Sequence, residues 1–262
     1  MDLNLKNKVI IVTGGAKGIG EGIVRALAAE GAIPVIIGRS EEDNKKVADD
    51  IIAKGGQAGQ FVAELTRPEE CEQVVKAIAK QYGRIDGLVN NAGVNDGVSL
   101  ENGTYADFMS SLHKNVVHYY LVAQYALPLL KESKGAILNI TSKVADTGQG
   151  NTSGYAASNG ARNALTREWA VELLKYGIRV NAVVVAECWT PLYADWINTL
   201  PDPVAKRKEI EAKIPLDQRM TTTAEIANTV VFLLSDRSSH TTGQIVYVDG
   251  GYVHLDRALA NV

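Results

Sequence analysis

Short apolar runs alternate with longer amphipathic stretches along the chain of 262 residues. The candidate strands are Val9–Thr13, Pro34–Gly38, Gly59–Ala63, Ile85–Asn90, Gly135–Ile140, Ile178–Val185 and Gln244–Val248. Most of these runs are apolar throughout, which is typical of parallel strands buried on both faces. The helical windows between them are 18–30, 41–54, 68–82, 104–131, 152–175 and 223–235. This alternation predicts an α/β fold with one doubly wound parallel sheet and helices on both faces.

One domain is expected over residues 1–262, because no internal repeat or Pro/Gly-rich linker divides the chain. The pattern is interrupted by an insertion at about 187–215, which carries Trp189, Tyr193 and Trp196. It follows the predicted strand Ile178–Val185. Since open α/β sheets bind ligands at the carboxyl ends of their strands, this insertion is predicted to cover a substrate.

Composition narrows the class of protein further. The apolar fraction of 46% and charged fraction of 22% are those of an ordinary soluble globule. A net charge of -3 gives no electrostatic footprint for nucleic acid or an anionic membrane. Cys71 and Cys188 lie far apart without metal-ligand partners, which favours a reducing cytosol over a disulfide framework. We therefore expect a cytoplasmic protein with no metal, no membrane segment and no nucleic-acid partner.

A glycine-rich turn follows the first predicted strand and opens the first helix, in the order Thr13-Gly-Gly-Ala-Lys-Gly-Ile-Gly20. Gly14 permits the tight turn, Gly18 lets the backbone approach a pyrophosphate, and Gly20 lets helix and strand pack closely. The N–H groups and the positive end of the helix dipole then face the anion. Because this turn lies between a strand and a helix, it predicts dinucleotide binding rather than a purely structural turn.

The second strand ends in Gly38-Arg-Ser40, where folds selective for NAD usually place an acidic residue for the ribose hydroxyls. Position 38 offers no carboxylate, and Arg39 together with Lys17 could bind a 2′-phosphate instead. The alternative is that both side chains are solvated charges. The sequence favours NADP(H), with NAD(H) left open.

Four motifs then follow in order. Asn90-Asn-Ala-Gly93 closes the fourth strand, Asn115 lies in the next helix, Ser142 ends the fifth strand, and Tyr155 comes 13 residues after Ser142. Together with the glycine turn, they resemble the short-chain dehydrogenase/reductase family over essentially the whole chain. The resemblance implies a seven-stranded Rossmann sheet, NAD(P)-dependent oxidoreductase activity, and a homotetramer or homodimer with helices 104–131 and 152–175 at its interface.

The resemblance also implies roles for individual residues. Tyr155 would be the general acid/base, Ser142 would orient the substrate oxygen, and Asn115 would hold a water in the proton path. In oxidation, the phenolate accepts the hydroxyl proton while the adjacent carbon delivers hydride to the nicotinamide. The implied cofactor-binding residues are Gly14, Lys17, Gly18, Ile19, Gly20, Arg39, Ser40, Glu64, Leu65, Asn91, Ala92, Gly93, Tyr155, Asn159 and Thr190.

Asn159 departs from the family pattern, which has a lysine four residues after the tyrosine. A tyrosine phenol has an ordinary pKa near 10, so about one in a thousand is ionised at pH 7. The family's lysine lowers that pKa by about two units, for a unit charge at roughly 5 Å and a dielectric near 20. Asn159 can reach a ribose hydroxyl but supplies no charge. We therefore expect turnover reduced by two or more orders of magnitude, with Lys143 and Arg162 as possible substitutes and Arg162 expected at a subunit interface.

A pocket rich in polar and aromatic side chains is predicted around the reacting groups. A carboxylate, amides and indoles suit a polyhydroxylated ligand, whose C–H faces stack on aromatic rings. The candidate substrate residues are Asn95, Ser142, Gln149, Tyr155, Glu187, Trp189 and Trp196, and Asp96 and Lys143 lie in the same segments.

Two further stretches, 186–203 and 248–257, are similar to the L-fucose dehydrogenase branch of the family. This similarity implies oxidation of a sugar at its anomeric hydroxyl to the lactone, and His254, Asp256 and Arg257 could close a neighbouring subunit's pocket. The sequence leaves two alternatives open. One is a 3-oxoacyl-thioester reductase, which would need a basic docking patch for an acidic carrier. The other is a non-catalytic NADP(H)-binding protein.

Overall fold

A seven-stranded parallel sheet forms the centre of the protein in the computed structural model, which describes residues 2–255. The strands run in the order β3-β2-β1-β4-β5-β6-β7. Their bounds are β1 Val9–Thr13, β2 Ile33–Gly38, β3 Gly59–Val62, β4 Gly87–Asn90, β5 Ala136–Ser142, β6 Arg179–Val185 and β7 Ile245–Val248. All neighbouring strands pair in parallel.

The helices cover both faces of this sheet. They are α1 Gly18–Ala29, α2 Glu41–Ala53, α3 Pro68–Tyr82, α4 Tyr105–Leu112, α5 His118–Ser133, α6 Ser153–Glu172, α7 Pro191–Ile197, α8 Pro203–Glu211 and α9 Thr223–Leu234. The predicted fold class, a single doubly wound Rossmann domain with a seven-stranded parallel sheet, is confirmed.

Alternate residues of the central strand enter two separate cores. Ile10 and Val12 pack into the core that α1, α2 and α9 share, while Val9 and Ile11 pack into the core beneath α3, α5 and α6. Because consecutive side chains of a strand point to opposite faces, a strand covered on both sides must be apolar at every position. This is why the parallel strands appear in the sequence as unbroken apolar runs.

The helical window predicted over 104–131 is divided in the structure. A π-helical segment, His113–Val117, joins α4 to α5. A π-helical turn holds one extra residue and loosens the regular backbone ladder, which frees a carbonyl for another partner. Here the backbone carbonyl of Asn115 accepts a hydrogen bond from Arg162 Nε at 2.6 Å.

The insertion at 187–215 contains two short helices, α7 and α8, that the sequence interpretation treated only as a substrate-covering segment. Thr190 caps α7 by accepting from the backbone N–H of Tyr193, and Asp202 caps α8 in the same way through Ala205. A proline follows each cap, at the helical position where its missing N–H costs nothing. The pairs Thr-Pro and Asp-Pro were therefore readable helix starts.

Within residues 2–255, no helix has the length and apolar character required to cross a bilayer. Both cysteines are buried and form no disulfide. Burial raises the pKa of the Cys71 thiol to about 11 and that of Cys188 to about 12. Both side chains therefore act as small apolar core groups at neutral pH.

Candidate active site

The glycine turn between β1 and α1 has the geometry of an anion cradle. Gly14 and Gly18 adopt left-handed φ values of 64° and 56°, and a Cβ added to Gly20 would lie 2.1 Å from the carbonyl oxygen of Gly14. Lys17, at the N-cap of α1, makes no side-chain capping hydrogen bond to the first turn. The Lys17 side chain therefore does not cap the first N–H groups of α1, and phosphate binding at this turn stays a prediction.

Asn91, the residue after β4, stabilises this turn through hydrogen bonds. Its side-chain amide donates to the carbonyl oxygens of Thr13 and Gly14 at 2.9 and 3.3 Å. The hydroxyl of Thr13 accepts from the backbone N–H groups of Asn91 and Ala92. The motif at 90–93 thus holds the glycine turn in place through its amide and backbone.

The end of β2 carries the groups expected to choose between the two dinucleotides. Lys17 pairs with Asp43 at 2.7 Å and Arg39 with Glu64 at 3.5 Å, and the side chains of Lys17 and Arg39 are 68% and 79% exposed. A Cβ at Gly38 would lie 2.3 Å from Asn44 Oδ1. Asn44, which the sequence interpretation missed, therefore fills the space in which an acidic side chain at position 38 would begin.

The remaining residues assigned to the cofactor are distributed around this turn. Thr190 lies next to Gly18, because a Cβ at Gly18 would be 3.4 Å from the Thr190 Cβ atom. Ile19 is partly exposed in the first turn of α1, and Ser40 caps α2. Leu65 differs from the expectation, since its side chain is buried in the core with α3 and only its backbone could flank an adenine.

Ser142 and Tyr155 stand on two elements that meet at the carboxyl edge of the sheet. Ser142 is the last residue of β5, and Tyr155 lies in the first turn of α6. Both are partly exposed. A depression of about 350 Å³ is lined by the segment between them in the chain, Val144–Ser153, with Ala156; it includes Gln149 but neither Ser142 nor Tyr155. A larger open depression of about 510 Å³ lies apart, at Leu200–Glu209.

Asn159 is fully buried one turn after Tyr155. Its Nδ2 donates to the backbone carbonyl of Tyr155 at 2.8 Å, and its Oδ1 accepts from Arg162 Nη1 at 3.0 Å. Both polar atoms of the amide are thus held by α6 itself. The expectation that Asn159 reaches a ribose hydroxyl stays a prediction, and it would require the amide to leave these partners.

Arg162 was expected at a subunit interface, and that placement is wrong. The residue is only 3% exposed within a single chain and points into the protein. Its guanidinium donates to the backbone carbonyls of Asn115 and Ile140 and lies 4.3 Å from the centre of the Tyr119 ring. Helical periodicity had placed Arg162 on the same face as Asn159 but could not show that α5 covers this face.

Asn115 was expected to hold a water, and both of its oxygens have partners within the protein. Its backbone carbonyl accepts from Arg162 Nε at 2.6 Å, and its Oδ1 accepts from the N–H of Val94 at 2.8 Å and from Arg162 Nη2 at 3.4 Å. Asn115 therefore fixes the loop after β4 to the π-helical segment and to Arg162.

Lys143, the residue after Ser142, forms a buried ion pair. Lys143 bonds to Glu187, the side chains being 10% and 13% exposed, and the Glu187 carboxylate also accepts from the Tyr193 hydroxyl at 2.8 Å. The ammonium lies 4.2 Å from the centre of the Tyr252 ring. Burial and the adjacent Glu187 carboxylate raise the pKa of Tyr193. The carboxylate predicted for the substrate is therefore held in place by two internal partners, and its remaining lone pairs can still accept hydrogen bonds.

The aromatic residues of the insertion form a connected group. Tyr193 packs edge-on against Trp196 with ring centres 5.3 Å apart and lies 6.1 Å from Trp189. Arg207 of α8 covers Trp189 at 4.1 Å. Trp196 is 46% exposed, which leaves part of its indole open to a ligand.

The other predicted pocket residues lie nearer the surface. Asn95 and Gln149 are exposed, while Asp96 accepts from Ser111 and pairs with Lys114 at 3.4 Å. His254 is exposed and packs edge-on against Tyr247. Asp256 and Arg257 lie outside the described residues.

Two buried residues beside Arg162 were missed by the sequence interpretation. Burial raises the pKa of Tyr119 to about 12, and burial together with the Arg162 charge lowers the pKa of His118 to about 4. Both side chains are therefore neutral at pH 7. The sequence shows His118-Tyr119 inside an amphipathic window, but only the fold brings them against α6.

A glycine turn after β1, with a serine and a tyrosine at the carboxyl edge of a parallel sheet, is the arrangement of an oxidoreductase with a Rossmann domain. The family model described as Enoyl-(Acyl carrier protein) reductase matches residues 14–253, and the chain belongs to the short-chain dehydrogenase/reductase family. Members of this family use NAD(P)H.

Individual relatives carry different names. The chain is 35% identical to an L-fucose dehydrogenase of Bos taurus, over 96% of this chain and 91% of the relative. It is 33% identical to the 3-oxoacyl-[acyl-carrier-protein] reductase FabG of Thermotoga maritima, over 96% and 100%. The crystal structure of Cj0485 dehydrogenase superposes with a TM-score of 0.94 at 48% identity and covers 99% of both chains.

Proposed function

We propose that the protein is an NAD(P)-dependent dehydrogenase that oxidises a sugar hydroxyl, with an L-fucose-like aldose converted to its lactone. The carrying observation is the group of Glu187, Tyr193 and Trp196 beside the Ser142–Tyr155 edge. A carboxylate, a phenol and a partly open indole suit a ligand that presents hydroxyls on one side and C–H groups on the other. The name of the Bos taurus relative supports the same substrate class.

The residues of the glycine turn fit a bound dinucleotide. A Cβ at position 20 would collide with the backbone of Gly14, so only glycine allows the tight turn that brings the backbone of Gly14 and Gly18 close to a pyrophosphate. When bound, NAD(P)+ supplies the hydride acceptor. The Tyr155 oxygen takes the proton of the substrate hydroxyl, while Ser142 Oγ donates a hydrogen bond that orients the same oxygen. The Glu187 carboxylate is positioned by Lys143 and Tyr193 to accept from a further sugar hydroxyl.

NADP(H) is the proposed dinucleotide. Gly38 leaves no room for an acidic side chain beside Asn44, and the ion pairs of Lys17 and Arg39 are exposed. Exposed ion pairs contribute little to stability, so both cations can exchange a carboxylate for a 2′-phosphate at little cost. Titration with NADPH and NADH tests this choice, because Arg39→Ala should weaken the binding of NADPH and leave that of NADH nearly unchanged. Equal losses for both would contradict it.

Self-association through α5 and α6 remains a prediction. Tyr120 on α5 and Val171 near the end of α6 are 48% and 70% exposed, and large apolar side chains in such positions suit an interface between copies. A homotetramer or homodimer is therefore proposed. A cytoplasmic location also remains a proposal.

A 3-oxoacyl-thioester reductase is the second candidate, supported by the FabG relative. A carrier protein is acidic, so its partner should present a basic patch. The charges of α8 are mixed, because Glu209 and Glu211 stand beside Lys206 and Arg207 on the same helix. This charge balance favours a small substrate over a carrier-bound one.

Initial rates distinguish the candidates. L-fucose, other aldoses and polyols are compared with NAD+ and NADP+, and a 3-oxoacyl thioester is compared with NADPH, each with Tyr155→Phe as the background control. The proposal expects the highest turnover on an aldose with a lactone product. Faster turnover of the thioester would establish the reductase, and dinucleotide binding without turnover of any substrate would indicate a binding protein.

The predicted loss of turnover at Asn159 is a separate question. It followed from an uncharged amide at position 159 and from the expectation that Arg162 meets a subunit interface, and it stays a prediction. The first premise stands in the sequence, whereas the second does not match the buried position of Arg162.

A further inference from the structure

Arg162 carries a buried charge that no acid neutralises. Among residues 2–255, no carboxylate forms an ion pair with its guanidinium, which is bonded only to neutral oxygens. These are Asn115 O at 2.6 Å, Asn159 Oδ1 at 3.0 Å, Ile140 O at 3.2 Å and Asn115 Oδ1 at 3.4 Å. Buried charges are usually paired, because removing an ion from water is costly. An unpaired guanidinium therefore projects a positive field on its surroundings.

Its hydrogen bonds reach the backbone of the elements that carry the candidate reacting groups. Arg162 is linked to Tyr155 through Asn159, whose Oδ1 accepts from the guanidinium while its Nδ2 donates to the Tyr155 carbonyl. On the opposite side, a Cβ at Gly93 would lie 2.8 Å from Arg162 Nη2. The guanidinium thus lies between the helix that carries Tyr155 and the turn assigned to the cofactor.

Neighbouring groups leave this charge uncompensated at neutral pH. His118 and Tyr119 on α5 are neutral, because burial lowers the pKa of His118 to about 4 and raises the pKa of Tyr119 to about 12. Lys143, after β5, is already paired with Glu187, and Lys114 with Asp96. The carboxylate of Glu64, in the segment after β3, acts on His118, but it is bonded to Thr66 and paired with Arg39. No carboxylate of residues 2–255 therefore forms an ion pair with Arg162.

We propose that Arg162 is a positioning residue that supplies the positive charge of this active site from two turns along α6 and favours the ionised Tyr155 phenol. Asn159 holds the guanidinium in that position. The expected effect on turnover rests on the proposed function, whereas the expected effect on the ionisation of Tyr155 does not. Two helical turns correspond to about 10 Å, and a unit charge at that distance in a dielectric near 20 shifts a proton equilibrium by about one pH unit.

The first test needs neither substrate nor dinucleotide. The phenol of Tyr155 is titrated by near-ultraviolet difference absorbance, with the matched Tyr155→Phe protein subtracted to remove the other tyrosines. Arg162→Gln is expected to raise the midpoint by about one pH unit. Arg162→Lys should keep it close to that of the parent. Arg167→Gln, an exposed arginine on the same helix, is the control and should not move it. An unchanged midpoint in a folded Arg162→Gln protein overturns the proposal, whatever the substrate proves to be.

The second test uses turnover. Arg162→Gln should lower kcat about tenfold at neutral pH, and raising the pH by about one unit should restore most of the loss, with KM little changed. A purely structural role would instead lower the melting temperature and leave the shape of the pH profile unaltered, which overturns the proposal.

If Arg162→Gln does not fold, Asn159→Lys/Arg162→Leu replaces it, because a cation then returns one turn nearer to Tyr155. The proposal expects a Tyr155 midpoint within about one pH unit of the parent, since one cation has replaced another. A midpoint some two units lower would show that Arg162 had contributed nothing, and this also overturns the proposal.

Discussion

Lys143 and Arg162 are two buried cations near the same reacting groups, and their charges are balanced in different ways. Lys143 meets the carboxylate of Glu187, whereas Arg162 meets only carbonyl and amide oxygens. A close ion pair has little net field beyond its own neighbours, while an unpaired charge in a region of low dielectric acts over several ångströms. This difference supports our proposal that Lys143 holds the Glu187 carboxylate in place, whereas Arg162 supplies the positive charge that acts on Tyr155.

The largest effect is expected at Tyr155, the group that this charge is proposed to ionise. Tyr155→Phe should reduce turnover about a thousandfold, because a positioned general acid/base contributes roughly 10²–10⁴ in rate. The affinity for NADPH, measured by fluorescence titration, should be almost unchanged. Tyr120→Phe is the control, since that side chain is 48% exposed. If Tyr155→Phe kept a tenth of the parent rate, another group would be the base, and Arg162 could not act by ionising Tyr155.

Glu187→Gln tests the ion-pair half of the comparison through stability. It leaves the Lys143 ammonium buried without a carboxylate, and breaking such a pair costs about 3 kcal/mol or somewhat more. The double variant Lys143→Met/Glu187→Gln should regain much of this loss. Urea denaturation gives both values, and a double variant no more stable than Glu187→Gln would contradict the assignment of a buried ion pair.

His118 provides a prediction about pH. Burial, with the Arg162 charge as a second cause, lowers its pKa from 6.5 to about 4. Below about pH 6.5 the unfolded chain binds a proton that the folded chain refuses until about pH 4, so stability decreases as the pH falls through this window. The full loss is about 3 kcal/mol.

Denaturation at several pH values between neutral and about pH 4 measures this loss. His118→Gln should remove most of the dependence, whereas His240→Gln, at an exposed position, should leave it intact. The same slope in the parent and in His118→Gln would show that other groups cause the acid sensitivity.

The parts of the fold that were predicted from sequence are those with a local cause. β1 has the predicted bounds Val9–Thr13, and α3 occupies the predicted window 68–82 between Pro68 and Gly83. A strand buried on both faces must be apolar at each position, and proline and glycine mark the ends of a helix. Ser142 and Tyr155 were likewise placed at a strand end and a helix start by their neighbours in the chain.

The features that escaped prediction depend on how separate elements pack against one another. The π-helical segment His113–Val117 frees the Asn115 carbonyl for Arg162, 47 positions away in the chain. The inward direction of Arg162 depends on α5 covering α6, which helical periodicity does not specify. Asn44 fills the space at Gly38 only because β2 and α2 pack together. These contacts fix the positions of charged and polar groups in the site, and they can be identified only from the packed structure.

The most direct test of the Arg162 assignment is the effect of Asn159→Lys on kcat at pH 7 in two backgrounds, the parent chain and Arg162→Gln. If Arg162 already supplies part of the charge, the new lysine should raise kcat about a hundredfold in the Arg162→Gln background and only about tenfold in the parent, where the phenol is already more ionised. A gain of about a hundredfold in both backgrounds would contradict our assignment and would show that Asn159 had left the tyrosine without a cation.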